Sequence, residues 1–223
     1  MLLGVSGLNL DYQTNSTYDF KHHSGSMGLK RKLAGTELEF DAAVAQTYVG
    51  STAYLNEENY KLTLKREWVL PWVIRYRYSN IFSTSGFGQY KGDRQQLSLG
   101  TKFSSGQFKH SLRYRLETND RKNLASFADY SPTRHGLRYQ LGYRYRSNIG
   151  IKLSAGFRSS LYDSVPDIAV RKDQRGRVGF STWYAPAKQL RYTLDWQYTD
   201  NQSNLTGYGY TQHKLTLSVG LFI

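Results

Sequence analysis

Cysteine is absent from the 223 residues, which removes disulfides, thiolate metal centres and cysteine nucleophiles together. No apolar run approaches the roughly 18 residues that a spanning helix needs. Met1-Leu2-Leu3-Gly4-Val5 is too short for a signal peptide, so an exported chain is expected here in mature or trimmed form. Acids are scarce: 17 Asp and Glu stand against 30 Lys and Arg, a net charge of +13 that demands an anionic partner or an aqueous place to put it. No segment carries apolar residues at helical spacing. What is present, 39% hydrophobic and 15% aromatic content, excludes a disordered tail and suits one ordered domain over residues 1–223.

The dominant pattern is a period of two. Trp72-Val73-Ile74-Arg75-Tyr76-Arg77-Tyr78 puts apolar residues on even positions and cations on odd ones, and Leu137 to Arg146 repeats the separation. Ala34-Gly35-Thr36, Leu70-Pro71, Ser104-Ser105-Gly106-Gln107, Ser147-Asn148-Ile149-Gly150 and Ala185-Pro186-Ala187-Lys188 supply five tight turns. Between them lie six mostly longer polar stretches: 13–17, 48–58, 79–93, 117–133, 160–173 and 199–212. Five and six make eleven connections, hence twelve strands. Short and long connections alternate, so the expectation is an all-β fold: a 12-stranded antiparallel transmembrane β-barrel in a Gram-negative outer membrane, with short periplasmic turns and long extracellular loops. Strands of about 9–11 residues would match the tilted span of a bilayer.

Alternation alone does not say which face is inside; the aromatics decide. Trp72, Phe103, Phe108, Tyr145 and Tyr184 share the apolar parity and adjoin the short turns, as an interfacial girdle would. Leu99, Leu112, Leu141 and Leu153 occupy strand middles on that parity and are read as facing lipid and lipopolysaccharide. Arg31 and Arg66 fall on the same face, close enough to short turns to snorkel. The last strand carries Leu215, Leu217, Val219, Leu221 and Ile223 on one parity, with Phe222 one place before the end, and resembles the terminal strand that outer-membrane barrels present to a barrel-assembly machinery. In the first strand, Leu3 and Val5 are out of phase with Leu8 and Leu10, which predicts a bulge near Gly7.

With the apolar parity outward, nineteen cations and five acids point inward, a surplus of about fourteen in a confined lumen. A sealed plug would be nearly neutral; this interior should draw anions in. The residues expected to set selectivity are Arg75, Arg77, Arg113, Arg115, Arg138 and Arg144, with Lys61 and Lys65 completing the rim, and the 117–133 loop is a candidate to narrow the mouth. Arginine suits carboxylate or sulfate because its planar fork donates two parallel hydrogen bonds.

Twelve strands, no cysteine, the Arg/Tyr alternations Leu112-Arg113-Tyr114-Arg115 and Tyr143-Arg144-Tyr145-Arg146, and a cationic lumen resemble the monomeric acidic-oligosaccharide porins, which include the oligogalacturonate and sialic-acid channels. The resemblance implies a passive channel whose inward Arg and Lys guide acidic oligosaccharides or polysaccharide. Tyr198 to Asn204 also resembles the closing hairpins of exopolysaccharide or lipoprotein export barrels, which implies a periplasmic export partner and makes this chain the C-terminal barrel of a longer precursor.

An enzyme is the least supported class. Phe20-Lys21-His22-His23-Ser24 resembles the His-x-Ser motif of outer-membrane lipid A deacylases and phospholipases, with His22 as base and Ser24 as nucleophile. Gly25 stands where those families carry Asn, and the pair shares parity with Lys30 and Lys32, facing the lumen instead of lipid. The five histidines have no metal-ligand spacing, so neither metal nor cofactor is expected. Nucleic-acid binding is disfavoured because rings and cations lie on opposite faces, whereas single-strand binders combine them on one platform.

Overall fold

The computed structural model describes residues 2–10, 20–50, 52–67, 70–82, 91–120, 122–123, 128–129, 131–162, 170–187 and 189–221. They form β1 (Leu2–Leu10), β2 (Phe20–Leu33), β3 (Thr36–Val49), β4 (Thr52–Arg66), β5 (Trp72–Phe82), β6 (Gly92–Ser105), β7 (Phe108–Asp120), β8 (Lys122–Asn123), β9 (Ala128–Asp129), β10 (Pro132–Arg146), β11 (Ile149–Tyr162), β12 (Lys172–Ala187), β13 (Leu190–Ser203) and β14 (Tyr210–Leu221). Twelve of these make one antiparallel sheet in chain order, and β8 and β9 pair separately inside the β7–β10 connection. The twelve-strand expectation holds. Among the described residues β1 pairs with β2 alone and β14 with β13 alone.

The tight turns follow from local chemistry. Ala34 and Gly35 both have positive φ, 45° and 77°, the two-residue hairpin whose twist matches the flanking strands. The stretch 48–58 was expected to be a long loop, yet Val49 pairs with Thr52, and Leu55 to Glu58 lie inside β4. Polar strand ends such as Asn56-Glu57-Glu58 read as loop, because nothing local distinguishes a solvated strand from a solvated loop. For the same reason most strands run 12–16 residues, beyond the expected 9–11. Residues 13–17, Phe222 and Ile223 lie outside the described residues.

The predicted bulge near Gly7 is absent. The β1–β2 register runs unbroken from Leu2↔Gly28 to Leu10↔Phe20, so Leu8 shares the face of Ser6. Continuous pairing with β2 overrides the hydrophobic phase of a nine-residue edge strand. A register shift appears instead between Thr47 and Tyr48 on the β3–β4 pair.

The sheet is inside out relative to a water-soluble fold. Leu99, Leu112, Leu137, Leu153 and Phe157 stand 42–52% exposed on one face, and Ile81 is the one large hydrophobic residue buried among the described residues. Thr63, Ser79, Thr199 and Asn201, on the opposite face, are buried. Apolar surface of this extent is stable only against another apolar phase. Polar atoms on the apolar face are satisfied in pairs: Tyr114 Oη meets His135 Nδ1 at 2.7 Å, and Tyr139 Oη meets His110 Nδ1 at 2.8 Å.

Candidate channel site on the polar face

Register, which no local pattern encodes, arranges the polar side chains of β5 to β13 into rows running across the strands. One row reads Arg75, Ser98, Arg115, Gly136, Arg158, Arg175, Asn201. The next row toward the tight turns reads Gly100, Arg113, Arg138, Gly156, Arg177, Thr199. Two residues along a strand separate the rows, about 7 Å. Seven arginines thus share one band. None lies within ion-pair distance of a carboxylate among the described residues. The Nε atoms of Arg75 and Arg158 are buried there without a hydrogen-bond partner.

The row on the loop side is neutralised. Glu117 accepts from Arg134 Nη1 at 2.7 Å, from Gln96 Nε2 at 3.1 Å and from Asn119 Nδ2 at 3.1 Å, which leaves it little capacity for Arg115. Arg94 donates to Glu57 at 3.2 Å and to Ser79 Oγ at 3.3 Å. At the same level Arg171 pairs with both oxygens of Asp173, at 3.0 and 2.5 Å, and its guanidinium lies over the Tyr162 and Tyr208 rings at 4.4 and 3.8 Å. Burial opposes the charge on Arg171, but its bonds to Asp173 and the nearby tyrosines outweigh that and raise its pKa. Asn201 on the polar face donates to the Tyr208 carbonyl at 2.9 Å, so the β13–β14 connection folds over that face.

A second neutral zone covers β2 to β4. Lys65 donates to Glu37 at 2.7 Å and Glu39 at 3.0 Å, Lys61 reaches Asp41 at 3.0 Å, and Lys30 pairs with Glu37 at 2.8 Å. Of the eight residues expected to set selectivity, Arg75, Arg113, Arg115 and Arg138 therefore gather in the band. Arg77 lies one row toward the loops, opposite Lys61 and Gln96. Arg144 lies near the tight turns, at a register shift on the β10–β11 pair. Lys61 and Lys65 are engaged by the carboxylates of β3. Three band members, Arg158, Arg175 and Arg177, were legible as inward-facing but not as neighbours of the others. Glu37, Glu57 and Asp173 were overlooked as inward acids, as were Arg94 and Arg134 as inward cations, because they sit at strand ends that read as loop or turn.

His22 and Ser24 share the polar face but do not bond to one another. His22 Nδ1 meets Thr47 Oγ1 at 3.0 Å, and Ser24 Oγ meets Ser6 Oγ at 2.7 Å. Among the described residues no three His, Asp or Glu side chains gather as metal ligands.

No protein-family model matches the sequence, and no curated relative matches it either. Solved structures do match the fold. A NanC porin structure aligns over 100% of both chains at 11% identity with a TM-score of 0.51. Acinetobacter baumannii OccAB3 and OccAB4 align over 92% and 99% of this chain at 12% and 10% identity, with TM-scores of 0.53 and 0.52. This chain spans all of the NanC porin but 55% and 66% of those two. An all-β sheet of twelve antiparallel strands, apolar on one face and cationic on the other, has the fold of the outer-membrane porins.

Proposed function

We propose that the chain is a passive, anion-preferring channel of the Gram-negative outer membrane that admits acidic saccharides. One observation carries the reading: among the described residues seven arginines stand in two adjacent rows without a carboxylate within ion-pair distance, while Glu37, Glu39, Asp41, Glu57, Glu117 and Asp173 are engaged by cations outside the band. The protein spends its acids on the lysines of β2 to β4 and on the loop-side row, and leaves the arginine band charged. A fixed cationic band on a water-facing wall raises local anion concentration and repels cations.

A channel requires the sheet to close. With twelve alternating strands β1 and β14 run antiparallel, so their free edges are compatible. In hydrocarbon, every unpaired backbone group on those edges would cost several kcal/mol by the rule that lipid offers no hydrogen bonds, on the order of the penalty for any buried unsatisfied polar group. Closure by β1 and β14 removes both edges at once.

The test is planar-bilayer recording of the refolded chain under a KCl gradient, adding polygalacturonate fragments, sialic acid and a neutral oligosaccharide in turn. A chloride-selective reversal potential, with block by the acidic sugars alone, is the expected result. A cation-selective or non-selective pore overturns the anion reading, and equal block by the neutral sugar overturns the substrate class.

A further inference from the structure

The arginine band leaves open space as well as charge. Arg113, Arg115, Arg138, Arg158, Arg175 and Arg177 line one cavity of about 190 Å³, the volume of about six waters at 30 Å³ each. Two glycines floor it. Gly136 lies between Arg115 and Arg158 in the register, and Gly156 between Arg138 and Arg177.

Neither glycine is demanded by the backbone. Neither has a positive φ. A Cβ at Gly136 would sit 3.7 Å from the Phe157 carbonyl oxygen and 4.0 Å from Arg158 Cγ, and one at Gly156 would sit 3.5 Å from the Leu137 carbonyl oxygen and 3.9 Å from Arg138 Cγ, all ordinary contacts. What glycine supplies here is the absence of a side chain between two guanidinium-bearing neighbours. Any larger residue would fill the floor that the arginines surround.

The band is the densest part of a cationic face that continues toward the tight turns through Lys102, Lys109, Lys152 and Arg191. It crosses β7 to β12 but occupies two rows, about 7 Å along strands that run 13–16 residues. A chain bearing one carboxylate per sugar ring spreads its charge along the pore axis and cannot engage six cations at one depth. A tetrahedral oxyanion brings its charge and several acceptor oxygens to a single point. The residue type agrees: between β5 and β12 the two rows contain arginine and no lysine, and the guanidinium fork matches oxyanions with two parallel donors where an ammonium offers only a point charge.

We propose that this cavity is a stationary seat for a tetrahedral oxyanion, sulfate or phosphate, free or carried as a monoester on a sugar. The proposal rests on the channel reading for the route by which the anion arrives, and not for the seat itself.

Calorimetry on the refolded full chain in detergent at low ionic strength reads the seat without conduction. The probes are sodium sulfate, sodium phosphate, glucose 6-sulfate, glucose 6-phosphate and, as the monocarboxylate comparison, glucuronate. Saturable binding of the sulfate or phosphate species at least tenfold tighter than glucuronate is expected. Tighter binding of the esters than of the free ions assigns the seat to an esterified sugar, and equal binding assigns it to the free ion. Gly156→Leu, which keeps every arginine, and Arg158→Lys, which keeps the charge but loses the fork, should each weaken sulfate at least tenfold. Should Gly156→Leu fail to fold, Arg158→Lys carries the test. Glucuronate binding as tightly as sulfate overturns the seat even if the KCl-gradient recording remains chloride-selective. So does unchanged sulfate affinity in the folded variants. A pore without anion preference overturns the channel reading and leaves the calorimetric result standing.

Discussion

Arg113 on β7 and Arg138 on β10 are directly opposed in the register, with no carboxylate within ion-pair distance of either among the described residues. Like charges facing across a strand pair destabilise a sheet by about 0.2–1 kcal/mol. Replacing Arg113 and Arg138 by Ser should therefore raise resistance to urea in vesicles while lowering chloride preference. The gain should shrink from 10 mM to 1 M salt, as the screening length falls from about 30 to about 3 Å. A double variant that unfolds earlier than the parent at low salt would refute the idea that the band is held against repulsion.

The carboxylates of β3 decide which cations are available to a solute. Lys65 and Lys61 lie 3.0 and 3.5 Å from Glu39. Glu39→Gln should free part of both charges and increase the chloride-to-potassium permeability ratio, read from reversal potentials. Lys61→Gln should change that ratio less than Arg115→Gln, because Lys61 also meets Asp41 at 3.0 Å whereas Arg115 has no carboxylate at that distance.

Leu99 stands 52% exposed at the eighth of the fourteen residues of β6, on the apolar face. If that face meets hydrocarbon, Leu99→Arg should cost about 2–4 kcal/mol in a lipid bilayer, the range for a cation near the midplane of a barrel wall. Urea titration in vesicles measures it. In a water-soluble protein the same change at an exposed site would be nearly neutral.

Arg171 ties three segments together through Asp173, Tyr162 and Tyr208. Removing the guanidinium in Arg171→Ala should release the turn that holds Tyr208 and speed hydrogen exchange at residues 205–209. Exchange in the middle of β12 should be unaffected, since its ladder is independent of that contact. Asp173, buried at 4% exposure, also loses its bidentate partner, so about 1–3 kcal/mol should be lost locally at the loop-side ends of β11 and β12 in addition to the cation–π contacts.

Sequence alone determined the strand count and the two faces, because a period of two is local: each residue of Trp72-Val73-Ile74-Arg75-Tyr76 declares its side by its neighbour. It determined the turn at Ala34-Gly35, but not the one at Gly50, φ 60°, which lay inside a stretch read as long loop. It did not determine where strands end, since Asn56-Glu57-Glu58 looks the same as loop or as solvated strand. Nor did it determine the phase of β1, where pairing with β2 prevailed over the hydrophobic pattern. Above all it did not decide which cations stay free. Lys61 and Arg115 are indistinguishable as inward-facing positive residues until register sets Asp41 opposite the first and Gly136 and Ser98 beside the second. Register is a non-local property, fixed by hydrogen bonding between strands far apart in the chain, and it is what turned a general excess of positive charge into a band of seven arginines with a glycine floor.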